Sequence, residues 1–351
     1  MGRTFSSEGD AVYVGLMLAL LVAQQPAKPA ELPPINPAQA RLDQTLGGLG
    51  GPGFSIAADE TGDVVAAGCE NGTIAYWNKD VSLGVRSGAN AGQSLSGHKG
   101  PVTALAWRSG RLASASTDGK INLWNLADVK PLQTLTASAP IRALALTADG
   151  KLLASAGDDN AVQLWDTATG KPTTKLEGHT DWVLALAFSP DGKLLASGGY
   201  DGTVRLWDVA GGKKLLDIAA KPPPQPNTPA GPANVVQSLA FSPDAKLLAV
   251  GGSDSQIHLF AIPDGKYARS LPGHASSVTG VQFHPSGTVL ASCSKDRTVK
   301  LWNPTNAQML KSLEGHTAWV QGVTFLARGT RLASVGADAT VRTWELSDVK
   351  K

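Results

Sequence analysis

Residues able to make or break bonds are few in this 351-residue chain. Its two cysteines, Cys69 and Cys293, are too few for a disulfide-stapled scaffold or an all-cysteine zinc site. His258 falls in an expected strand and His284 beside a turn. Neither has a cysteine, carboxylate or second histidine at ligand spacing, so no metal is expected. No glycine-rich loop of the phosphate-cradling kind occurs, and the glycines instead punctuate turns at regular intervals. A pair of catalytic carboxylates drawn from distant segments stays open, but no residue points to one. The chain is therefore expected to work without a cofactor and without catalysis, by contact alone.

The elements that would position such contacts come from a repeat, the strongest pattern in the sequence. Stacked on one aromatic position, the chain aligns at Trp77, Trp124, Trp165, Trp207, Phe260, Trp302 and Trp344, with spacings of 47, 41, 42, 53, 42 and 42 residues. Seven units follow. The clearest is residues 178–208, GHTDWVLALAFSPDGKLLASGGYDGTVRLWD. Trp182 to Phe188 reads as a buried strand, Ser189-Pro190-Asp191-Gly192 as a turn and Lys193 to Ser197 as a second strand. Asp201-Gly202 gives a tight hairpin turn, and Thr203 to Trp207 alternates as a third strand. A fourth precedes the unit at Lys171 to Leu176. Four short antiparallel strands cannot bury both faces alone, whereas stacking such sheets radially buries both.

At 42% hydrophobic and 17% charged residues the chain has material for a large core. Its 31 basic and 29 acidic residues leave a net charge of +2 with no basic run, which is no footprint for a nucleic-acid backbone. The first 23 residues differ. Ala11 to Ala23 (AVYVGLMLALLVA) carries no charge and has the length of a secretory signal's apolar core. An uncleaved anchor, the one expected route to a membrane, and no targeting role at all remain as alternatives. Residues 24–40 form a proline-rich spacer.

Glycine-histidine near the start of a unit and Trp-Asp or Trp-Asn at its end resemble the WD40-repeat family. Trp165-Asp166 and Trp207-Asp208 match fully, and Trp124-Asn125 and Trp302-Asn303 carry the asparagine variant. The resemblance covers residues 41–347 and implies an all-β, seven-bladed β-propeller. It also implies a hydrogen-bonded tetrad in each complete blade: His98-Ser114-Asp118-Trp124, His179-Ser197-Asp201-Trp207, His274-Ser292-Asp296-Trp302 and His316-Ser334-Asp338-Trp344. Serine, histidine and aspartate together suggest a protease. That reading fails, because the set recurs four times, ends on tryptophan and lacks an oxyanion-hole loop. Blade three keeps Ser155, Asp159 and Trp165 with Ala137 at the histidine position. Blade five has Pro232, Val250 and Phe260, and blade one has Leu49, Ala67 and Asn71.

The last unit lacks a fourth strand, and residues 348–351 are too few to supply one. Arg41 to Leu46 aligns with Gln308 to Leu313 and is expected to complete the final blade, closing the ring and removing an exposed edge. The two cysteines then sit in blades one and six, which are not neighbours, so they stay free thiols.

In the family, the rim carrying the histidine loops and aspartate turns binds protein or peptide partners. Positions facing it here include Trp182, Trp319, Tyr200, Asp158 and Lys295, with Arg142 and Gln321 two residues further into their strands. The fold does not need tryptophan at 182 or 319, and large exposed aromatics are typical interface anchors. Residues 221–232 (KPPPQPNTPAGP) insert a proline-rich stretch before blade five, read as a solvated spacer or a docking segment, and a smaller insertion lies near Ser82 to Gln93. The expectation is a monomeric, non-catalytic interaction scaffold of bacterial type. It is periplasmic or extracellular if the leader is a signal, and cytoplasmic if not. The alternative is a propeller that binds a small ligand or runs hydrolysis at its channel mouth.

Overall fold

A computed structural model describes residues 32, 34–59, 61–78, 93–126, 130–222 and 233–346. The leader, the smaller insertion and residues 223–232 of the proline-rich insertion, with Pro232, lie outside the described residues, as do residues 347–351.

Seven four-stranded antiparallel sheets make up the regular structure of the described residues, with two single-turn 3-10 segments beside them. Blade four shows the pattern: Val183–Phe188 innermost, then Leu194–Gly199, Thr203–Asp208 and, outermost, Lys213–Ala219. The turns follow local chemistry. Ser189 Oγ donates to Asp191 Oδ1 at 2.6 Å and accepts from the Leu194 amide at 2.9 Å, while Gly192 takes φ +71°. Each innermost strand lies beside that of the next blade, and the innermost strand of blade seven, Val320–Leu326, lies beside that of blade one, Gly53–Ala58. The ring is closed.

Arg41–Leu46 is the outermost strand of blade seven, pairing with Val341–Glu345 from Arg41↔Glu345 to Leu46↔Val341. Asn36 N–H extends the attachment with a 2.7 Å bond to the Leu346 carbonyl, and Leu46 is buried.

The repeated aromatic has a packing reason. Trp207 of blade four sits in one cluster with Ala154, Val162 and Leu164 of blade three, and Trp344 of blade seven with Leu301 and Val299 of blade six. Trp77 of blade one likewise joins Ala333 and Val335 of blade seven, across the closure. Each ring fills the seam to the preceding blade, where truncation to alanine costs about 3–5 kcal/mol. Hydroxyl groups stitch the same seams nearer the axis: Ser55 Oγ donates to the Val102 carbonyl at 3.2 Å and Thr103 Oγ1 to that of Ile141 at 2.6 Å.

Every innermost strand also slips register at one place, between Ile141 and Ala143 in blade three and between Val320 and Gly322 in blade seven. A bulge leaves one residue out of the ladder and re-aims its side chain. In these two blades the residue skipped is Arg142 or Gln321.

Candidate functional site

The bulged residues converge on one mouth of the central channel, a cavity of about 450 Å³ lined by Arg142, Gln237, Thr279, Gln321, Lys295 and the rings of Tyr200 and Trp319, among others. A second cavity of about 530 Å³ opens at the other end. Aliphatic side chains from the innermost strands, Ile56, Leu144 and Val323 among them, border both and narrow the channel between.

Trp182 and Tyr200 are held by backbone before their rings meet. The Tyr200 amide donates to the Trp182 carbonyl at 2.9 Å. A Cβ on Gly199 would collide with that same oxygen, so only glycine allows the approach. The rings then meet edge to face, centroids 5.7 Å apart at 87°. Arg142, from the neighbouring blade, lies 5.1 Å from the Trp182 ring centroid. Its Nε and Nη2 donate to the two carboxylate oxygens of Asp158 at 2.7 and 2.9 Å. That fork, outweighing burial, raises the guanidinium pKa above its ordinary value.

A second platform spans the seam of blades six and seven. Lys295 Nζ stands 4.8 Å from the Trp319 ring centroid, and the Ala337 amide fixes the Trp319 carbonyl at 2.8 Å. Trp182, Tyr200 and Trp319 remain 40, 46 and 52% exposed, unlike the buried seam tryptophans. The structure thus brings Arg142, Asp158, Trp182 and Tyr200 into one group, Lys295 and Trp319 into another, and sets Gln321 in the channel mouth. Sequence reasoning put these residues on the rims of successive blades but missed that Arg142 meets Trp182, and Lys295 meets Trp319, across a seam. Spacing along a chain carries no signal for contacts across a seam.

The tetrads are continuous hydrogen-bonded chains. His179 Nε2 lies 2.7 Å from Ser197 Oγ, Trp207 Nε1 donates to that oxygen at 2.8 Å, and His179 Nδ1 lies 2.8 Å from Asp201. His98 and Ser114 stand 2.7 Å apart, His274 and Ser292 2.7 Å, and His316 and Ser334 2.8 Å. Trp124, Trp302 and Trp344 donate to those serines at 2.8, 2.8 and 3.0 Å. On the far side His98 lies 3.3 Å from Asp118, His274 2.7 Å from Asp296 and His316 2.9 Å from Asp338. Burial lowers the pKa of His98 and His316 despite the neighbouring carboxylates. Burial alone would raise Asp201 and Asp296. Hydrogen bonds from His179 and Arg205, and from His274 and the Ala275 amide, outweigh it and hold both carboxyls far below the usual range. Each serine is buried and already spends a lone pair on an indole N–H, so the set braces a blade and presents no nucleophile to a substrate.

Blade three corrects one assignment. Thr136 pairs with Lys120 as Glu177 pairs with Ala161, so counting from the strand puts Ala137 in the place of Gly178 and Ser138 in that of His179. The loop onward to Ile141 is one residue shorter than its counterparts, and counting backward from that strand shifted the alignment. Ser138 Oγ reaches Asp159 Oδ2 at 2.6 Å, taking up the aspartate contact that histidine makes elsewhere.

His258 does have a carboxylate partner, contrary to the sequence expectation: its Nε2 pairs with Asp254, four residues upstream, at 2.7 Å, while His284 Nδ1 lies 2.6 Å from Ser286 Oγ. No group of three metal-ligating side chains occurs among the described residues. Cys69 and Cys293 are free and buried, and burial pushes the Cys293 thiol up to about 12. No described helix is long and apolar enough to cross a membrane.

Comparison with known families agrees with this architecture. The family model described as WD domain, G-beta repeat matches residues 90–125, 129–166, 170–208, 265–303 and 307–345. The anaphase-promoting complex subunit 4 WD40 domain model matches residues 225–276. Over 99 residues the chain is 31% identical to the periodic tryptophan protein 2 homolog of Mus musculus, an alignment covering 27% of this chain and 10% of that protein. The five repeat matches exclude Trp77 and Phe260, whose blades lack most of the tetrad yet fold alike.

Proposed function

The chain belongs to the WD40-repeat family, and from that premise we propose that it is a non-catalytic scaffold whose channel mouth binds a protein or peptide partner. The observation that carries this reading is the pair of exposed indoles, Trp182 and Trp319, each faced by a cation of the adjacent blade, Arg142 or Lys295, that lines one cavity. Aromatic rings held rigid before binding lose little entropy on contact and bury much apolar area. Arg142 and Lys295 are the charged side chains among the described residues lining the mouth; the lining holds no histidine or carboxylate, and the Asp158 carboxylate that grips Arg142 is not part of it. That lining favours a partner segment bringing carbonyl or carboxylate acceptors. It disfavours hydrolysis, which needs a paired acid and base or a metal there. Residues 1–23, with their uncharged apolar run, support placing the scaffold outside the cytoplasm.

Affinity capture with the full chain, against a Trp182→Ala, Trp319→Ala double variant, tests the site. The expected result is a specific partner lost from the variant while its melting temperature stays within about 2 °C of the parent, the range of a surface change. A partner retained at full strength by the folded double variant overturns the reading.

A further inference from the structure

We propose that the seam between blades two and three is a binding site for a neutral imidazole, which completes the unfinished tetrad of blade three.

In the complete blades the chemistry fixes each proton. An indole N–H only donates, so the serine oxygen receives it and turns its own proton toward histidine Nε2. With His98 and His316 kept neutral by burial, Nε2 accepts and Nδ1–H donates to aspartate.

Blade three keeps three of these four partners. Trp165 Nε1 donates to Ser155 Oγ at 2.8 Å, as in its siblings. Ser155 is 3% exposed, and its hydroxyl proton meets no acceptor among the described residues. Ser138 reproduces the bond to Asp159 but carries no ring to span onward to Ser155. A cavity of about 420 Å³ opens there, bordered by Ser138, Ser155, Asp159, Gln163, Trp165 and Lys175. A buried hydroxyl donor left unmet is unfavourable, and an acceptor nitrogen at this point satisfies it.

The other incomplete blades have shed the polar half as well. Blade five carries Val250 and Phe260 in place of serine and tryptophan, and the Asn234 side chain caps the Asp254 amide at 3.1 Å. Blade one has Ala67 where the serine would be. Only blade three retains the donor, the carboxylate and the indole around an open volume.

The geometry selects a five-membered ring with an acceptor nitrogen toward Ser155 and, across the ring, an N–H toward Asp159. A free imidazole-bearing small molecule and a histidine side chain on a partner peptide share that chemistry.

The full chain is titrated with imidazole, with N-acetylhistidinamide and with 1-methylimidazole, following the Trp165 indole N–H resonance assigned through Trp165→Phe. A saturable shift is expected with at least one of the first two. Binding of 1-methylimidazole should be about tenfold weaker, the loss of one hydrogen bond to a charged acceptor. Saturation by imidazole alone identifies a free small molecule, and saturation by N-acetylhistidinamide identifies a peptide-borne ring. Ser155→Ala should abolish the shift. Should that variant fail to fold, Gln163→Trp, which fills the cavity from a half-buried position, serves the same purpose. No saturation with either probe, equal binding of 1-methylimidazole, or a shift that persists in the folded variants overturns the proposal.

Discussion

Arg142 and Trp182 lie in neighbouring blades, yet the guanidinium sits 5.1 Å from the indole centroid because Asp158 grips its other edge through two hydrogen bonds. The carboxylate aims the cation, and the cation steadies the ring. Asp158→Ala releases the fork without touching the indole. The pair is partly exposed, so its stability contribution is at most about 1 kcal/mol. Partner affinity is expected to fall several-fold while the melting temperature drops by no more than about 4 °C. Binding isotherms and melting curves on the same preparation check this. Unchanged affinity would remove Arg142 and Asp158 from the site. Arg142→Lys should behave similarly, since an ammonium keeps the charge but not the fork.

Much of the fold was legible because its signals repeat. Turn residues at Ser189 to Gly192, the aromatic of every unit and the spare strand at Arg41 to Leu46 each reflect local or periodic constraints, and the strands formed within one or two residues of those expected. Contacts across seams were not legible. Nothing in the spacing of Lys295 and Trp319 says that they meet, because the bulges and blade stacking that aim them are tertiary. The one-residue slip at Ala137 and Ser138 has the same origin, since a shortened loop can be counted from either side and only strand register decides.

Ring closure makes the chain's beginning a structural part of its end. Leu46 is 3% exposed in the seam between blades seven and one, packed with Trp77, Val335 and Val341. Leu46→Ala should cost about 2–5 kcal/mol. A chain beginning at Gly53 loses the whole outer strand, exposes the edge of Val341–Glu345 and should aggregate or unfold without cooperativity. Urea unfolding and light scattering check both. A soluble, equally stable shortened chain would mean that the strand does not close the ring.

Acid should destabilise the propeller in two stages. His98 and His316 have pKa values lowered by burial, so below about pH 6.5 the unfolded chain takes up protons that the folded chain refuses. The lowered carboxyls of Asp118, Asp201, Asp296 and Asp338 act in a lower window. Their contribution is complete above about pH 4, the unfolded value, and is lost as pH falls through their native values. Melting temperature is expected to be level above pH 7, to decline gently toward pH 5 and to fall steeply below pH 4. Asp201→Asn should flatten part of the last step. Stability that rises between pH 7 and pH 5 would contradict neutral buried histidines.

The hairpin turn between second and third strands requires a left-handed residue in every blade, and the blades meet this unequally. Gly72, Gly119 and Gly202 occupy it at φ +83°, +75° and +69°, at no steric cost. Asn160, Ser255, Arg297 and Ala339 occupy it at φ +61°, +67°, +73° and +57°. Asparagine tolerates the region, whereas alanine has no polar side chain to compensate and bears about 1–2 kcal/mol of strain. Glycine at 339 relieves that strain but gives back about 0.5–1 kcal/mol through the freer unfolded chain. The balance favours Ala339→Gly by about 0.5–1 kcal/mol. Asn160→Gly should be close to neutral, because the asparagine strain is smaller. The urea midpoint should therefore rise for Ala339→Gly and stay put for Asn160→Gly, with the slope of unfolding unchanged in both. A lower midpoint for Ala339→Gly would show that its methyl group is worth more to the turn than the strain it carries.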